Sequence, residues 1–160
     1  MLASPTEFGD LIQSIQTLNA EDTFHARLDP QQWRTLAGYL TRHELRANDL
    51  LIRQGDTDRA MYLIAAGTFQ VYVPANTNKV SKVALLRPGS ICGEPSLFAA
   101  GSRMASVEAM TPSTIWALRF PRFEELSQRV PAIALEVLRA AGAVMAQRIR
   151  ANMQKQIPSA

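Results

Sequence analysis

Ser90-Ile91-Cys92-Gly93-Glu94-Pro95-Ser96-Leu97-Phe98-Ala99-Ala100-Gly101-Ser102-Arg103-Met104-Ala105-Ser106-Val107 brings a glycine, a carboxylate and an arginine into one short segment. Gly93 permits a positive φ or lets a ligand approach the backbone closely. Glu94 and Pro95 stand at the mouth of a short helical turn, where unpaired N–H groups and the helix dipole attract an anion. A carboxylate at that point accepts hydrogen bonds from sugar hydroxyls. Nine residues after Glu94, Arg103 offers a planar fork of donors suited to phosphate. Taken singly, Gly93-Glu94 is an ordinary turn and Arg103 an ordinary surface cation. Taken together at this spacing, they describe a site for a sugar phosphate.

Outward from this stretch the chain alternates short apolar segments with turn signals. Leu50–Arg53, Ala60–Ala65, Thr68–Val73, Val80–Leu86, Ser106–Ala109 and Thr114–Phe120 read as strands. Gln54-Gly55-Asp56, Ala66-Gly67, Pro74-Ala75-Asn76-Thr77-Asn78, Pro88-Gly89 and Thr111-Pro112 punctuate them. Strands this short and this evenly spaced predict a sandwich or barrel, a jelly roll among the forms, interrupted by a helical turn over Glu94–Ala100.

Helices flank this β region. Phe8, Leu11, Ile12, Ile15 and Leu18 recur at helical steps, and Asp29-Pro30 caps a second helix that carries Trp33, Leu36, Ala37 and Leu40. After Pro121, Phe123, Leu126 and Val130 mark another helix. Pro131 opens the last, with an apolar stripe of Ile133, Val137, Leu138, Val144, Met145 and Ile149. Gly142 inside it marks a bend or a close contact with another helix. One domain is expected: an N-terminal helical segment over 1–44, a β-roll over 45–120 holding the 90–107 stretch, and C-terminal helices over 121–153.

Composition narrows the function classes. The chain has 160 residues, 47% hydrophobic and 19% charged, which fits one ordinary core. Cys92 is the only cysteine, so no disulfide framework forms within one chain, in keeping with a reducing compartment. No apolar run approaches the roughly 20 residues a bilayer span requires, and Met1–Asp10 carries no basic or apolar signal segment. A cytoplasmic location is therefore expected. From Arg119 onward seven Lys/Arg face three Asp/Glu, but without clustering or interleaved aromatics, which reads as a solvated helix face. His25 and His43 stand 18 residues apart and outside any ligand set, and no nucleophile-and-base arrangement is present, so neither a metal centre nor an enzyme is expected.

The 90–107 stretch resembles the phosphate-binding cassette of the cyclic-nucleotide-binding domain family, which includes bacterial catabolite activators and protein kinase A regulatory subunits. The family pattern runs Phe-Gly-Glu-Leu-Ala-Leu, a variable turn, then Arg-x-Ala-x-Val. Gly93, Glu94, Leu97, Arg103, Ala105 and Val107 stand in matching positions. Ile52–Asp56, Met61–Ile64 and Gly67 resemble the family's early strands, and the last helix its hinge and lid helices, so the likeness covers about residues 30 to 153. The resemblance implies a β-roll sensor whose ligand is cAMP, or alternatively cGMP. It assigns the ribose 2′-hydroxyl to Glu94, the cyclic phosphate to Arg103, and cradle N–H groups to Ser96 and Met104. Val83 and Ala84 become candidates for the purine.

Cys92 replaces the family's aromatic residue and Pro95 its leucine, and neither change deletes a phosphate or ribose contact. Met104 follows Arg103 where guanine-preferring members often carry a hydroxyl, which favours cAMP. Bacterial relatives continue after the long helix into a helix-turn-helix of on the order of 70 residues. Only seven residues follow Met153, so no direct sequence-specific DNA reading is expected. Output is then expected through another protein, or through a homodimer formed along the C-terminal helix by Ile133, Val137, Val144 and Met145. The competing expectation is a degenerate domain serving as a nucleotide-free scaffold. Cys92 reads as a small buried hydrophobe rather than a redox sensor.

Overall fold

The structure is a computed structural model that describes residues 5–74 and 80–156, with side chains described for 8–74 and 84–154. Among the described residues, eight strands form two antiparallel four-stranded sheets. In chain order they are β1 (Thr41–Leu45), β2 (Leu50–Ile52), β3 (Ala60–Ala66), β4 (Phe69–Pro74), β5 (Val80–Leu86), β6 (Ile91–Cys92), β7 (Ser106–Ala109) and β8 (Ser113–Arg119). One sheet has the order β1-β8-β3-β6 and the other β2-β7-β4-β5, so successive strands, except the β4–β5 hairpin, cross between sheets in the manner of a jelly roll. The helices among the described residues are α1 (Pro5–Thr17), α2 (Pro30–Ala37), α3 (Pro95–Phe98), α4 (Phe120–Arg129) and α5 (Pro131–Gln156). The expected mainly β architecture with flanking helices is what the chain forms. The turn expected over Pro74–Asn78 falls, beyond Pro74, outside the described residues.

Side-chain alternation explains why the first sheet has two buried faces. On β3, Ala60, Tyr62 and Ile64 point between the sheets, where they meet Phe69, Val107, Ile115 and Ala117. Met61 and Leu63 point the other way, joining Trp116 and Leu118 against Phe8, Leu11 and Ile15 of α1 and Val137 and Val144 of α5. A strand covered on both faces needs an unbroken apolar run, and Ala60-Met61-Tyr62-Leu63-Ile64 supplies one. Burying each large side chain contributes roughly 1.5–3 kcal/mol, so this helix-covered face is a principal source of stability.

The helix boundaries follow from local chemistry. Asp29 accepts from Gln32 N at 2.8 Å, and the Gln32 side chain accepts from Asp29 N at 2.9 Å, a reciprocal capping box with Pro30 in the first turn. Pro131 opens α5, as expected. Gly142 leaves that helix continuous and lies under Phe98, whose ring carbon would sit 3.6 Å from an added Cβ. Of the two roles expected for Gly142, the close helix contact is the one observed, and the partner is α3.

The helical stripe requires a correction. Ile133, Val137 and Val144 are 3%, 0% and 1% exposed, packed into their own domain, so they are not free to pair with another chain. A second apolar line runs along α5: Leu135, Leu138, Gly142, Met145 and Ile149, with Leu135 68% and Ile149 53% exposed. No helix among the described residues is long and apolar enough to cross a membrane.

Candidate functional site

Gly93 is the pivot of the site. It follows β6 with φ +76°, and a Cβ there would meet Ala60 O at 2.7 Å, Arg103 Nη1 at 2.9 Å and Ile52 Cδ1 at 3.3 Å. A side chain at this position would collide with the arginine that the sequence pairs with it. Behind the glycine, Ser96 turns its hydroxyl inward: Ala60 N donates to Ser96 Oγ at 3.0 Å, and that oxygen lies 2.9 Å from Gly93 O. Ser96 thereby fixes the first turn of α3 to β3. Ser96 N donates to Gly93 O in a long 3.2 Å turn contact.

Arg103 and Glu94 are both buried, 8% and 4% exposed, and neither charge is left alone. That is what a low-dielectric site demands of a buried ion. Arg103 grips Asp58 with Nε at 3.3 Å and Nη2 at 2.9 Å, and donates to Ala60 O at 2.9 Å and Gly93 O at 3.2 Å. The hydrogen bond from Arg103 holds the Asp58 carboxyl below the ordinary aspartate range. Glu94 accepts from Arg148 Nη1 of α5 at 3.0 Å, while Arg148 Nε donates to Asp22 at 3.1 Å and Nη2 to Ile91 O at 2.8 Å. Burial alone would pull the Arg148 pKa down, yet the Glu94 and Asp22 carboxylates hold it above the ordinary arginine value. Burial, reinforced by the Glu94 charge, pushes the Cys92 thiol up to about 12, so Cys92 behaves as an inert apolar side chain.

An apolar row leads away from this charged cluster. Across the second sheet, Ile52 is opposite Val107, Val107 opposite Val71, and Val71 opposite Ala84. Cross-strand partners share a face, so the four side chains form one strip. Ile52 and Val107 are buried at 5% and 4%, Val71 is half-buried and Ala84 exposed. The strip therefore begins against Gly93 and opens towards solvent.

The fold thus brings Gly93, Glu94, Ser96 and Arg103 together, with Ala84 at the far end of the strip. Ala105 is half-buried beside Arg103 in sequence, and the Met104 side chain is 85% exposed. Val83 lies on β5 at the register shift opposite Val71 and Tyr72, and its side chain lies outside the described residues. Sequence reasoning missed Asp58, Val71 and the role of Arg148 as the partner of Glu94. Two surface clefts lie elsewhere, one beside α1 lined by Asp10, Gln13 and Arg42, the other between Glu21–His25 and α5. Neither gathers buried charges as the cassette does.

Comparison with known proteins agrees with this architecture. A family profile described as cyclic nucleotide-binding domain matches residues 42–130, more than half of the chain. The cyclic AMP receptor protein of Thermus thermophilus is 30% identical over 127 residues, which span 79% of this chain and 56% of that protein. The cAMP-dependent protein kinase regulatory subunit of Emericella nidulans is 29% identical over 113 residues, 65% of this chain and 27% of that one. In fold, the crystal structure of a cyclic nucleotide-binding domain from Methylobacillus flagellatus superposes with a TM-score of 0.81 at 18% identity, covering 97% of this chain and 86% of the other. The chain spans about half or less of the length of these curated relatives. With the cassette, the jelly roll and the profile in agreement, the chain belongs to the cyclic nucleotide-binding domain family.

Proposed function

We propose that this chain is a cAMP-binding regulatory module without enzymatic activity, acting in the cytoplasm and passing its signal through α5 to another protein. The observation that carries the reading is the convergence of two buried, oppositely charged groups, Glu94 and Arg103, on Gly93. Glu94 accepts the ribose 2′-hydroxyl and Arg103 pairs with the cyclic phosphate. The N–H of Met104 closes the cradle, joined by that of Ser96 as it gives up its 3.2 Å contact with Gly93 O, with Ala105 completing the loop. The purine lies along the strip ending at Val71 and Ala84, with Val83 beside it. The preference for cAMP over cGMP rests on Met104, which offers no hydroxyl to a guanine, and on the cAMP named for the Thermus and Emericella relatives.

Donor counting gives the mechanism its shape. Arginine has five N–H donors. Arg103 already makes four bonds, to Asp58, Ala60 O and Gly93 O, so a phosphate taken through two N–H groups must displace at least one acceptor, and Asp58 is the one not held in the backbone. The Asp58 side chain is 48% exposed and is released to water at small cost. Glu94 behaves differently. A carboxylate has about four acceptor positions, so a ribose hydroxyl joins Arg148 there rather than expelling it. Ligand binding thereby alters the hold of the cassette on Arg148, and with it the population of α5 positions, by no more than the ligand's differential affinity for them. On this account, saturating cAMP changes amide exchange along residues 133–153, measured by mass spectrometry. Unaltered exchange at saturation removes the signalling role.

A second reading has its own observation: both ligand-facing charges are satisfied internally, which is what a nucleotide-free scaffold would also need. It predicts no exchange response at any cAMP concentration. In either case the line Leu135, Leu138, Gly142, Met145 and Ile149, exposed at Leu135 and Ile149 and half-buried between them, repeats at alternating three- and four-residue steps, the spacing of a two-stranded coiled-coil seam. A second copy of this chain supplies a matching seam. Sedimentation equilibrium is expected to give a dimer, and Leu135→Glu with Ile149→Glu a folded monomer; a wild-type monomer at about 100 μM, weaker than roughly −5.5 kcal/mol of association, refutes the seam.

A further inference from the structure

We propose that Arg59 is a positioning residue that ties the cassette helix α3 to the first turn of α4, so that displacement of one carries the other. Arg59 immediately precedes β3 and is half-buried. Its Nε donates to Ser96 O at 2.7 Å and its Nη2 reaches Leu97 O at 3.5 Å. A four-residue helix has unsatisfied carbonyls at its C-terminal end and needs donors from outside. Arg59 supplies them. The same guanidinium lies over the Phe120 ring, 3.5 Å from its centroid, and Phe120 opens α4. Phe120 N also donates to Arg59 O at 3.0 Å, so α4 is held to this residue through both its side chain and its backbone.

The shape of the guanidinium makes this double attachment possible. Its edge donates hydrogen bonds in the plane while its face stacks on an aromatic ring. A lysine ammonium presents no such plane and cannot hold both partners in one geometry. The Arg59 side chain bonds the Ser96 and Leu97 carbonyls of α3, on the far side of the peptide groups from the Ser96 N–H assigned to the phosphate. The source of the displacement, a phosphate arriving at the first turn of α3, rests on the nucleotide-binding reading. The strut itself does not.

Hydrogen exchange on the full chain separates the two. Pro95→Gly loosens the first turn of α3 without ligand, and in the wild-type background it is expected to speed exchange at residues 120–129 by at least about threefold. In an Arg59→Met background the same substitution is expected to leave that exchange unchanged. With cAMP, Arg59→Met should keep the calorimetric affinity within about twofold, as for a site that does not touch ligand, while the cAMP-dependent change at 120–129 disappears. Arg59→Lys, which retains charge and length, should not restore it. If Arg59→Met exposes α4 through global unfolding, seen as a large fall in melting temperature, Arg59→Lys carries the comparison. A Pro95→Gly response absent in the wild type, or equal in both backgrounds, overturns the strut. A wild type that transmits the Pro95→Gly perturbation but takes up no cAMP overturns the nucleotide reading and leaves the strut standing.

Discussion

Replacing Arg103 by alanine is expected to weaken cAMP binding by about 100-fold or more. Each hydrogen bond to a charged group is worth about 1.5–3 kcal/mol, and a tenfold change in affinity corresponds to about 1.4 kcal/mol. A phosphate held by two N–H groups of Arg103 therefore loses about 3–6 kcal/mol. The fold should survive, because the partner left behind, Asp58, is 48% exposed and returns to water. The carbonyls of Ala60 and Gly93 each lose one donor but keep Ser96, its hydroxyl 3.1 Å from Ala60 O and its N–H 3.2 Å from Gly93 O, so the cost in stability is about 1 kcal/mol. Arg103→Lys keeps the charge but not the fork and should fall between the two proteins. Competition titration on all three checks the order. Equal affinity in Arg103→Ala and wild type would remove the phosphate from this residue.

Gly93→Ala is expected to damage fold and site together. The left-handed region alone costs a non-glycine residue about 1–2 kcal/mol, and Gly93 sits there at φ +76°. The added Cβ would lie 2.7 Å from a backbone oxygen that the β3 ladder holds in place, so the cassette rather than the strand must shift. A total loss of about 2–4 kcal/mol follows, within the range of single substitutions that strain a special φ/ψ. Because Arg103 Nη1 lies 2.9 Å from the same Cβ position, nucleotide affinity falls in addition. Gly101→Ala is the control: nothing lies within 4 Å of its Cβ position, and neither stability nor binding should change appreciably. Urea unfolding of the two variants gives the comparison. A neutral Gly93→Ala would mean that the backbone there relaxes freely and that Gly93 does not fix the site.

What the sequence disclosed, and what it did not, divides along physical lines. The cassette stretch stood out because Gly93, Glu94 and Arg103 lie close together in the chain, whereas Ser96 entered only through the family resemblance. The long strands were legible because Ala60–Ala66 and Ser113–Arg119 are apolar runs bounded by turns. β1 was not, because Thr41-Arg42-His43-Glu44-Leu45 is a polar edge strand with only one neighbour, β8, and no buried residue to set an alternation. β6, only two residues long, gives no period at all.

The partners of the site were hidden for a different reason. Asp58 reaches Arg103 across 45 residues of chain and Arg148 reaches Glu94 across 54, and a single charged residue carries no sign of which distant charge it will meet. Val71 joins the apolar strip only through strand register. On α5, two apolar lines share one helix. Ile133, Val137 and Val144 face the core, Leu138 packs on its margin, and Leu135 and Ile149 stand in solvent; superposed they blur into one broad stripe. Burial separates them where periodicity cannot.

The claim on which the rest depends is that the wild-type cassette holds a cyclic nucleotide, and calorimetric titration of the purified protein with cAMP tests it most directly. The expected result is saturable binding at one site per chain, of micromolar affinity or tighter, about −8 kcal/mol or stronger. No heat of binding, together with no rise in melting temperature at millimolar cAMP, would contradict it and leave a scaffold whose buried charges serve only each other.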